Sequence, residues 1–323
     1  MRKIFTTLLM IIISVALMNF MTACVPSYTL SFETNGGNNV ESIKFNMAKD
    51  TLSVTPSKDG FTFMGWFLDN DTFLLPFNAD SLNADVTLYA KWLPTINIYL
   101  DQHSHTIHSD GSMTVRQSVI WHRDMGFNTV VISDHNTLSN SAEIIALREE
   151  FADEILIIQG MEWTTARVHI NFVGLTSWDF DAFPVEQFPT NEAMTAAIAE
   201  AHRQGAIVTV NHFLWTQPFL KFTREELLSF NVDYFEINND DCRPNDYYDL
   251  EGICFCEANG LGQITGTDVH NPAHITLDGK VHAWTKIETT AFTVDAVMEQ
   301  LRLRNTEVII FETPKDSVPV VND

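Results

Sequence analysis

An α/β fold is expected for most of this chain, with a small β-rich module ahead of it. Two rhythms in the sequence predict it. From Pro94 onward, strand-like apolar runs alternate with helix-like runs over about 230 residues, the pattern of a parallel sheet with crossover helices. A closed barrel fits that length. Residues 28–92 instead alternate apolar and polar positions in short aromatic-rich runs separated by turn residues.

Composition bounds the function before any motif does. Apolar residues make up 45% and charged residues 19%, so a sizeable core can form and a largely disordered chain is excluded. Against 19 basic side chains stand 42 acidic ones, a formal charge of −23. A surface of that sign repels nucleic-acid backbones, so no nucleic-acid polymer is expected as a partner. An anionic substrate would need local positive charge, which bound metal ions can supply.

Taken in order, the elements begin with "MRKIFTTLLMIIISVALMNFMTAC", where Arg2 and Lys3 precede an apolar run that ends in small residues. Residues 1–23 have the layout of an export signal. "MTAC" resembles a bacterial lipoprotein signal, with Met21 where Leu is usual, and implies lipidation of Cys24. An uncleaved membrane anchor is the alternative, and either reading puts the rest of the chain outside the cytoplasm on a membrane. Three cysteines remain, Cys242, Cys254 and Cys256, an odd number that allows at most one internal disulfide and leaves a spare thiol. Cys254 and Cys256 share a helical run and read as buried small side chains rather than a metal site.

Within 28–92, "FETNGG", "GFTFMGW" and "TLYAKW" occur in the order of the small repeat of bacterial surface proteins named after Listeria and Bacteroides, and the segment resembles it. The resemblance implies a β-grasp-like spacer or adhesive module with possible cell-surface contacts. It contains no His and no acid cluster, so a stalk is the simpler reading.

The segment 94–323 carries the chemistry. "DQHSHTIHSDG" (101–111), "ISDHN", "QGMEW", "VHI", "VNHF" and "GTDVH" nearly all fall at or just after the ends of strand-like runs, where parallel α/β folds build their sites. His103 and His105 are two apart, as are Asp268 and His270, and on extended backbone such pairs point the same way. Clustered imidazoles and carboxylates are a donor set for zinc, manganese or iron.

These motifs, in this order, resemble the PHP (polymerase and histidinol phosphatase) superfamily over roughly residues 95–311. The resemblance implies a distorted seven-stranded (β/α) barrel with up to three divalent metal ions, hydrolysing phosphoesters. It implies that His103, His105 and Asp268 hold one ion, that Glu162 bridges it to a second held by His169 and His212, and that Asp110, His135 and His270 hold a third. Glu162, Asp268 and His270 are then the catalytic candidates. Phe213 stands where the family often has Pro after the motif histidine.

The residues around these motifs carry further expectations. Asp134 directly precedes His135 and Asp101 stands two residues before His103, and both are candidates to orient an imidazole. Arg167, two residues before His169, is the first choice as a phosphate clamp, with Arg243 and Lys221 behind it. His108 reads as a rim residue, His122 and His202 as solvated helix positions, and His274 and His282 as lone histidines in polar sequence. The expected substrate is a small external phosphomonoester or phosphodiester. A metal-dependent amide or ester hydrolase and a catalytically degenerate, metal-stabilised binding platform are the alternatives.

Overall fold

The computed structural model describes residues 27–47, 49–215, 220–240, 249–275 and 281–310. Cys24, Cys242 and Arg243 lie outside these residues, as does the side chain of His274. No helix among the described residues is long and apolar enough to cross a membrane. The chain divides into two compact units, Met1–Thr95 and Ile96–Asp323.

The first unit is a four-stranded mixed sheet. β1 (Ser27–Glu33) pairs antiparallel with β2 (Ile43–Asn46) and parallel with β4 (Val86–Pro94), while β3 (Phe61–Phe67) runs antiparallel to β4. The turn after β1 needs left-handed backbone at Asn35 and Gly36, which the "NGG" stretch supplies. Leu30, Phe45, Trp66, Leu82, Leu88 and Ala90 form its core. Its helical content among the described residues is one 3-10 turn, Ala79–Ser81.

In the second unit the strands are β5 (Ile96–Asp101), β6 (Thr129–Ile132), β7 (Leu156–Thr164), β8 (His169–Val173), β9 (Ile207–Val210), β10 (Tyr234–Asn239), β11 (Gly262–Gly266), β12 (Ala283–Thr289) and β13 (Glu307–Ile310). They form one nine-stranded sheet in the order β11-β10-β9-β8-β7-β6-β5-β12-β13. The helices of six or more residues are α1 (Val115–Asp124), α2 (Ser141–Glu150), α3 (Asn191–Arg203), α4 (Arg224–Ser229), α5 (Leu250–Asn259) and α6 (Val294–Leu303), with a short helix at Pro272–Ile275. Thr114 and Thr223 close capping boxes at α1 and α4. α3 buries Met194, Ala197, Ile198 and Ala201, a spacing that puts one apolar stripe on the sheet.

The seven-stranded (β/α) barrel expected from the sequence is therefore wrong: the sheet has nine strands and is mixed. β5, β6 and β7 run parallel, as do β9, β10 and β11, but β8 is antiparallel to both neighbours and β12 is antiparallel to β5. The cause lies between β7 and β8. Only the four residues 165–168 join them, whereas a parallel pair needs a crossover of a dozen or more.

The sheet curls into a near-barrel. At its seam the Thr265 amide of β11 donates to Thr285 Oγ1 of β12 at 2.9 Å. Beyond the strands, the Asp268 amide donates to His103 O at 2.9 Å and the His105 amide to Val269 O at 3.1 Å. These bonds lay the two ligand-type segments side by side.

Gly262 packs against the Tyr234 ring, and a Cβ there would fall 2.1 Å from the nearest ring carbon. The ring cannot retreat, because its buried hydroxyl donates to Leu301 O at 2.8 Å. Gly262→Ala should destabilise the protein by about 1–3 kcal/mol in urea unfolding. An unchanged midpoint would mean that this edge of the sheet packs differently.

Candidate metal centre

β5, β6, β9 and β11 deliver their ligand-type residues just after their C-terminal ends, and Glu162 sits near the end of β7. His169 is different: it opens β8. Because β8 runs backwards, its first residue arrives at the same end of the sheet where its neighbours finish. The sequence motif was in place, but its strand ran in the opposite sense from a parallel reading.

Glu162 is fully buried at the centre. One or other of its carboxylate oxygens lies 3.2 Å from His103 Nε2, 3.6 Å from His105 Nε2, 2.6 Å from His135 Nδ1, 3.3 Å from His169 Nδ1 and 3.3 Å from His212 Nε2. Asp268 Oδ1 faces His103 Nε2 at 3.1 Å and His105 Nε2 at 3.0 Å. On the outer wall, Asp110 Oδ1 lies 3.3 Å from His270 Nε2 and 3.5 Å from His135 Nε2. All nine ligand-type residues implied by the resemblance thus meet at one end of the sheet. Asp268 and His212 hold left-handed backbone, at φ 55° and 24°, the kind of strain that persists where surrounding structure over-determines it.

Four overlapping groups could each hold a cation: His103, His105 and Glu162; His103, His212 and Asp268; Glu162, His169 and His212; and His105, Asp110, His135 and His270. Within each group the donor atoms lie inside 4.8 Å of one another. Two ligands 2.0–2.1 Å from one tetrahedral ion stand about 3.4 Å apart, close to the separations around Glu162 and Asp268. His105 Nε2 and Asp268 Oδ1 face each other at 3.0 Å, and His169 Nδ1 faces Glu162 at 3.3 Å, while Nδ1 of His105 and of His212 are buried without a hydrogen-bond partner. Buried polar atoms normally find partners, and a cation is one partner such ring nitrogens accept. The residues fit divalent metal.

Charge explains the titration of the cluster. Burial alone would depress the His103 imidazole, but Asp268, Glu162 and Glu236 outweigh it and hold the ring well above its usual value. Burial would likewise raise the Glu162 carboxyl, yet His103 and His169 beside it keep it well below its ordinary range. Protons and cations compete for the same nitrogens here.

The supporting residues differ from expectation. Asp101 touches no ligand imidazole; its carboxylate accepts from the His103 amide at 3.0 Å and the Thr267 amide at 3.0 Å, tying the ends of β5 and β11 together. His122 is not solvated but fully buried, with Nε2 2.9 Å from Asp101 Oδ2. His202 is half-buried against Asp233 at 2.8 Å. Asp134 accepts from the Thr106 amide and hydroxyl, Ser109 Oγ and Asn140 Nδ2, so it shapes the loop that carries Asp110 rather than an imidazole. Gly111 in that loop has no room for a Cβ, which would meet the His105 backbone at 2.6 Å.

Arg167 is placed away from the cavity. Its guanidinium donates to the carbonyls of Leu220 and Pro189 and lies 3.5 Å from the centre of the Phe222 ring. Lys221 sits over Phe213, and His108 bonds Ser139 at the rim. Cys256 is buried in the core, where burial pushes its thiol up to about 12, whereas Cys254 is exposed; both are free.

Glu236 was missed. It is fully buried; Oε1 accepts from Gln102 Nε2 at 2.9 Å and lies 3.1 Å from His103 Nδ1, and Oε2 accepts from the His212 amide at 2.8 Å. It therefore fixes the orientation of one ligand-type ring and the backbone of another. The available signal was an acid in the middle of the apolar strand "YFEIN". Asn211, beside His212, donates to Glu162 Oε1 at 2.8 Å.

Comparison with known proteins agrees with both resemblances. Residues 28–91 match the Listeria-Bacteroides repeat domain. Two curated relatives from Evansella cellulosilytica, named as a Gly-rich membrane protein and a membrane protein, share 40% identity over 77 residues and 34% over 90. These cover 23% and 27% of this chain, which spans only 9% and 12% of the relatives' lengths. A solved two-domain protein of Bacteroides vulgatus, described as containing a predicted PHP-like metal-dependent phosphoesterase, aligns with TM-score 0.54 and 25% identity. The match covers 68% of this chain and 66% of that one, a share that the first unit alone cannot supply.

Glu236→Gln should weaken zinc or manganese binding by roughly 10–100-fold in a chelator competition. Unchanged affinity would mean that Glu236 only holds the His212 amide.

Proposed function

We propose that the second unit is a metal-dependent hydrolase of small phosphoesters, loading up to three zinc, manganese or iron ions. The observation that carries this is the convergence of nine His, Asp and Glu side chains in overlapping donor groups with orphaned buried ring nitrogens. The likeness to the Bacteroides vulgatus protein supports the phosphoester class. In this reading His103, His105 and Asp268 hold one ion, His169 and His212 a second with Glu162 between them, and Asp110, His135 and His270 a third.

When bound, such ions polarise a phosphoryl oxygen and lower the pKa of water to about 7. The chain's own residues do the rest. Glu162 stays ionised because imidazoles surround it, and Asn211 fixes its direction. Glu236 keeps Nε2 of His103 turned toward Glu162 and Asp268 by occupying the Nδ1 side. His135, His270 and Asp110 are partly exposed and form the wall that substrate meets first. Fold alone does not choose the ester, and the donor set serves phosphoesters, amides and carboxylic esters alike; the phosphoester class rests on the likeness to the Bacteroides vulgatus protein.

The location follows a separate line of reasoning. The basic start, apolar run and "MTAC" of residues 1–24 support lipidation of Cys24 and a membrane-anchored, exported protein, with the repeat module as a spacer.

The whole chain, purified in detergent without chelator, should hydrolyse p-nitrophenyl phosphate or its bis-ester when manganese or zinc is supplied. His135→Ala should lower kcat/KM at least 100-fold, whereas Arg167→Ala should lower Tm and leave kcat/KM within about threefold, since its guanidinium bonds backbone carbonyls. Turnover of amides or carboxylic esters in place of both phosphoesters would overturn the substrate class. Cys24→Ala should move the protein from the membrane to the soluble fraction; an unchanged distribution would refute lipid anchoring.

A further inference from the structure

One side chain in the cavity does no ligating. The cavity beside the cluster has a volume of about 290 Å³ and is walled by Asp110, His135, His169, His212, Asp268, His270 and Trp215. Six of these seven are donor-type residues; the seventh is an indole. Trp215 is 60% exposed, so the face of its indole is open to a ligand entering the cavity. Its ring lies 5.5 Å from that of His169 and 5.4 Å from that of His212, inclined at 60° and 73°.

The backbone holds it there. His212 adopts left-handed φ, and the Trp215 amide closes a turn on His212 O at 2.9 Å. Phe213 plunges into the core at 5% exposure, with Arg224 and Lys221 stacked over its ring at 4.3 and 4.1 Å. With Phe213 pinned inward, the tight turn turns Trp215 outward over the cavity.

We infer that Trp215 is the specificity-determining residue of the site, stacking on a planar aromatic group of the substrate while the phosphoryl end faces the ligand cluster. The substrate class is therefore an aryl or nucleobase-bearing phosphoester of small size, as the cavity lies near the lower bound of ligand pockets, about 300 Å³. Ring-on-indole stacking is worth roughly tenfold in affinity. This inference rests on the phosphoester reading above for the placement of the anionic end.

The test measures binding, so that it stands apart from turnover. Phenylphosphonate, cyclohexylphosphonate and methylphosphonate, which are not hydrolysed, are titrated calorimetrically into the metal-loaded full chain, with metal content measured for every variant. The wild type should bind phenylphosphonate about tenfold more tightly than either of the others. Trp215→Phe should keep most of that preference, and Trp215→Leu, which retains an apolar side chain without an aromatic face, should abolish it at unchanged metal content. No preference in the wild type, a preference that survives Trp215→Leu, equal gains for phenyl and cyclohexyl, or no binding of any phosphonate would each overturn the inference. A phenyl preference lost in Trp215→Leu, in a protein that hydrolyses no phosphoester, would instead uphold the indole platform and refute the hydrolase reading.

Discussion

Everything at the open end of the sheet is arranged around one buried carboxylate. Glu162 has no exposed surface, and an ion in that position costs several kcal/mol unless it is compensated. Five imidazoles, from His103, His105, His135, His169 and His212, supply the compensation from four different strand ends. β7 lies in the middle of the nine-stranded sheet, so residues from both flanks can reach its end. The left-handed backbone at His212 and Asp268, the lack of room at Gly266 beside Glu236 and His103, and the buried network of Gln102, Asn171 and Asn211 all serve that convergence. The strain and the polar burial are tolerated because each element over-determines its neighbour.

This constraint also bears on how so acidic a chain would accept the anionic substrate proposed for it. Asp110, Glu162 and Asp268, with Glu236 behind them, make the site acidic. Protonated imidazoles, His103 foremost, offset part of that charge until cations take the place of their protons. Divalent ions would reverse the sign locally while the remaining surface stays acidic, so in the proposed function substrate binding depends on metal loading.

Much of the site was legible in the sequence, and the fold less so. The HxH spacing does put His103 with His105 beside the same carboxylates, next to a bridge from Ser104 to Val269; Asp268 and His270 also meet, at 3.5 Å, but from left-handed rather than extended backbone at Asp268. The alternation of strands and helices was also readable, but not the reversal of β8, whose direction depends on a four-residue connection. Nor could periodicity show that β12 and β13 join the sheet beyond β5. Glu236 escaped notice because a single acid in an apolar strand has no spacing partner. Arg167 was misjudged from its nearness to His169 in sequence: neighbours on a strand-entry turn point to different places, and its carbonyl partners Leu220 and Pro189 are distant in the chain. His122 misled for the opposite reason, since the helix face it occupies turns to Asp101 rather than to water.

Anomalous diffraction from crystals of the full chain grown with manganese or zinc tests the central claim most directly. The account predicts anomalous peaks between Glu162 and the His169–His212 pair, between Glu162 and the group of His103, His105 and Asp268, and beside Asp110, His135 and His270. A cluster with no anomalous peak at any of these places, its carboxylates ion-paired only to protonated imidazoles, would contradict it.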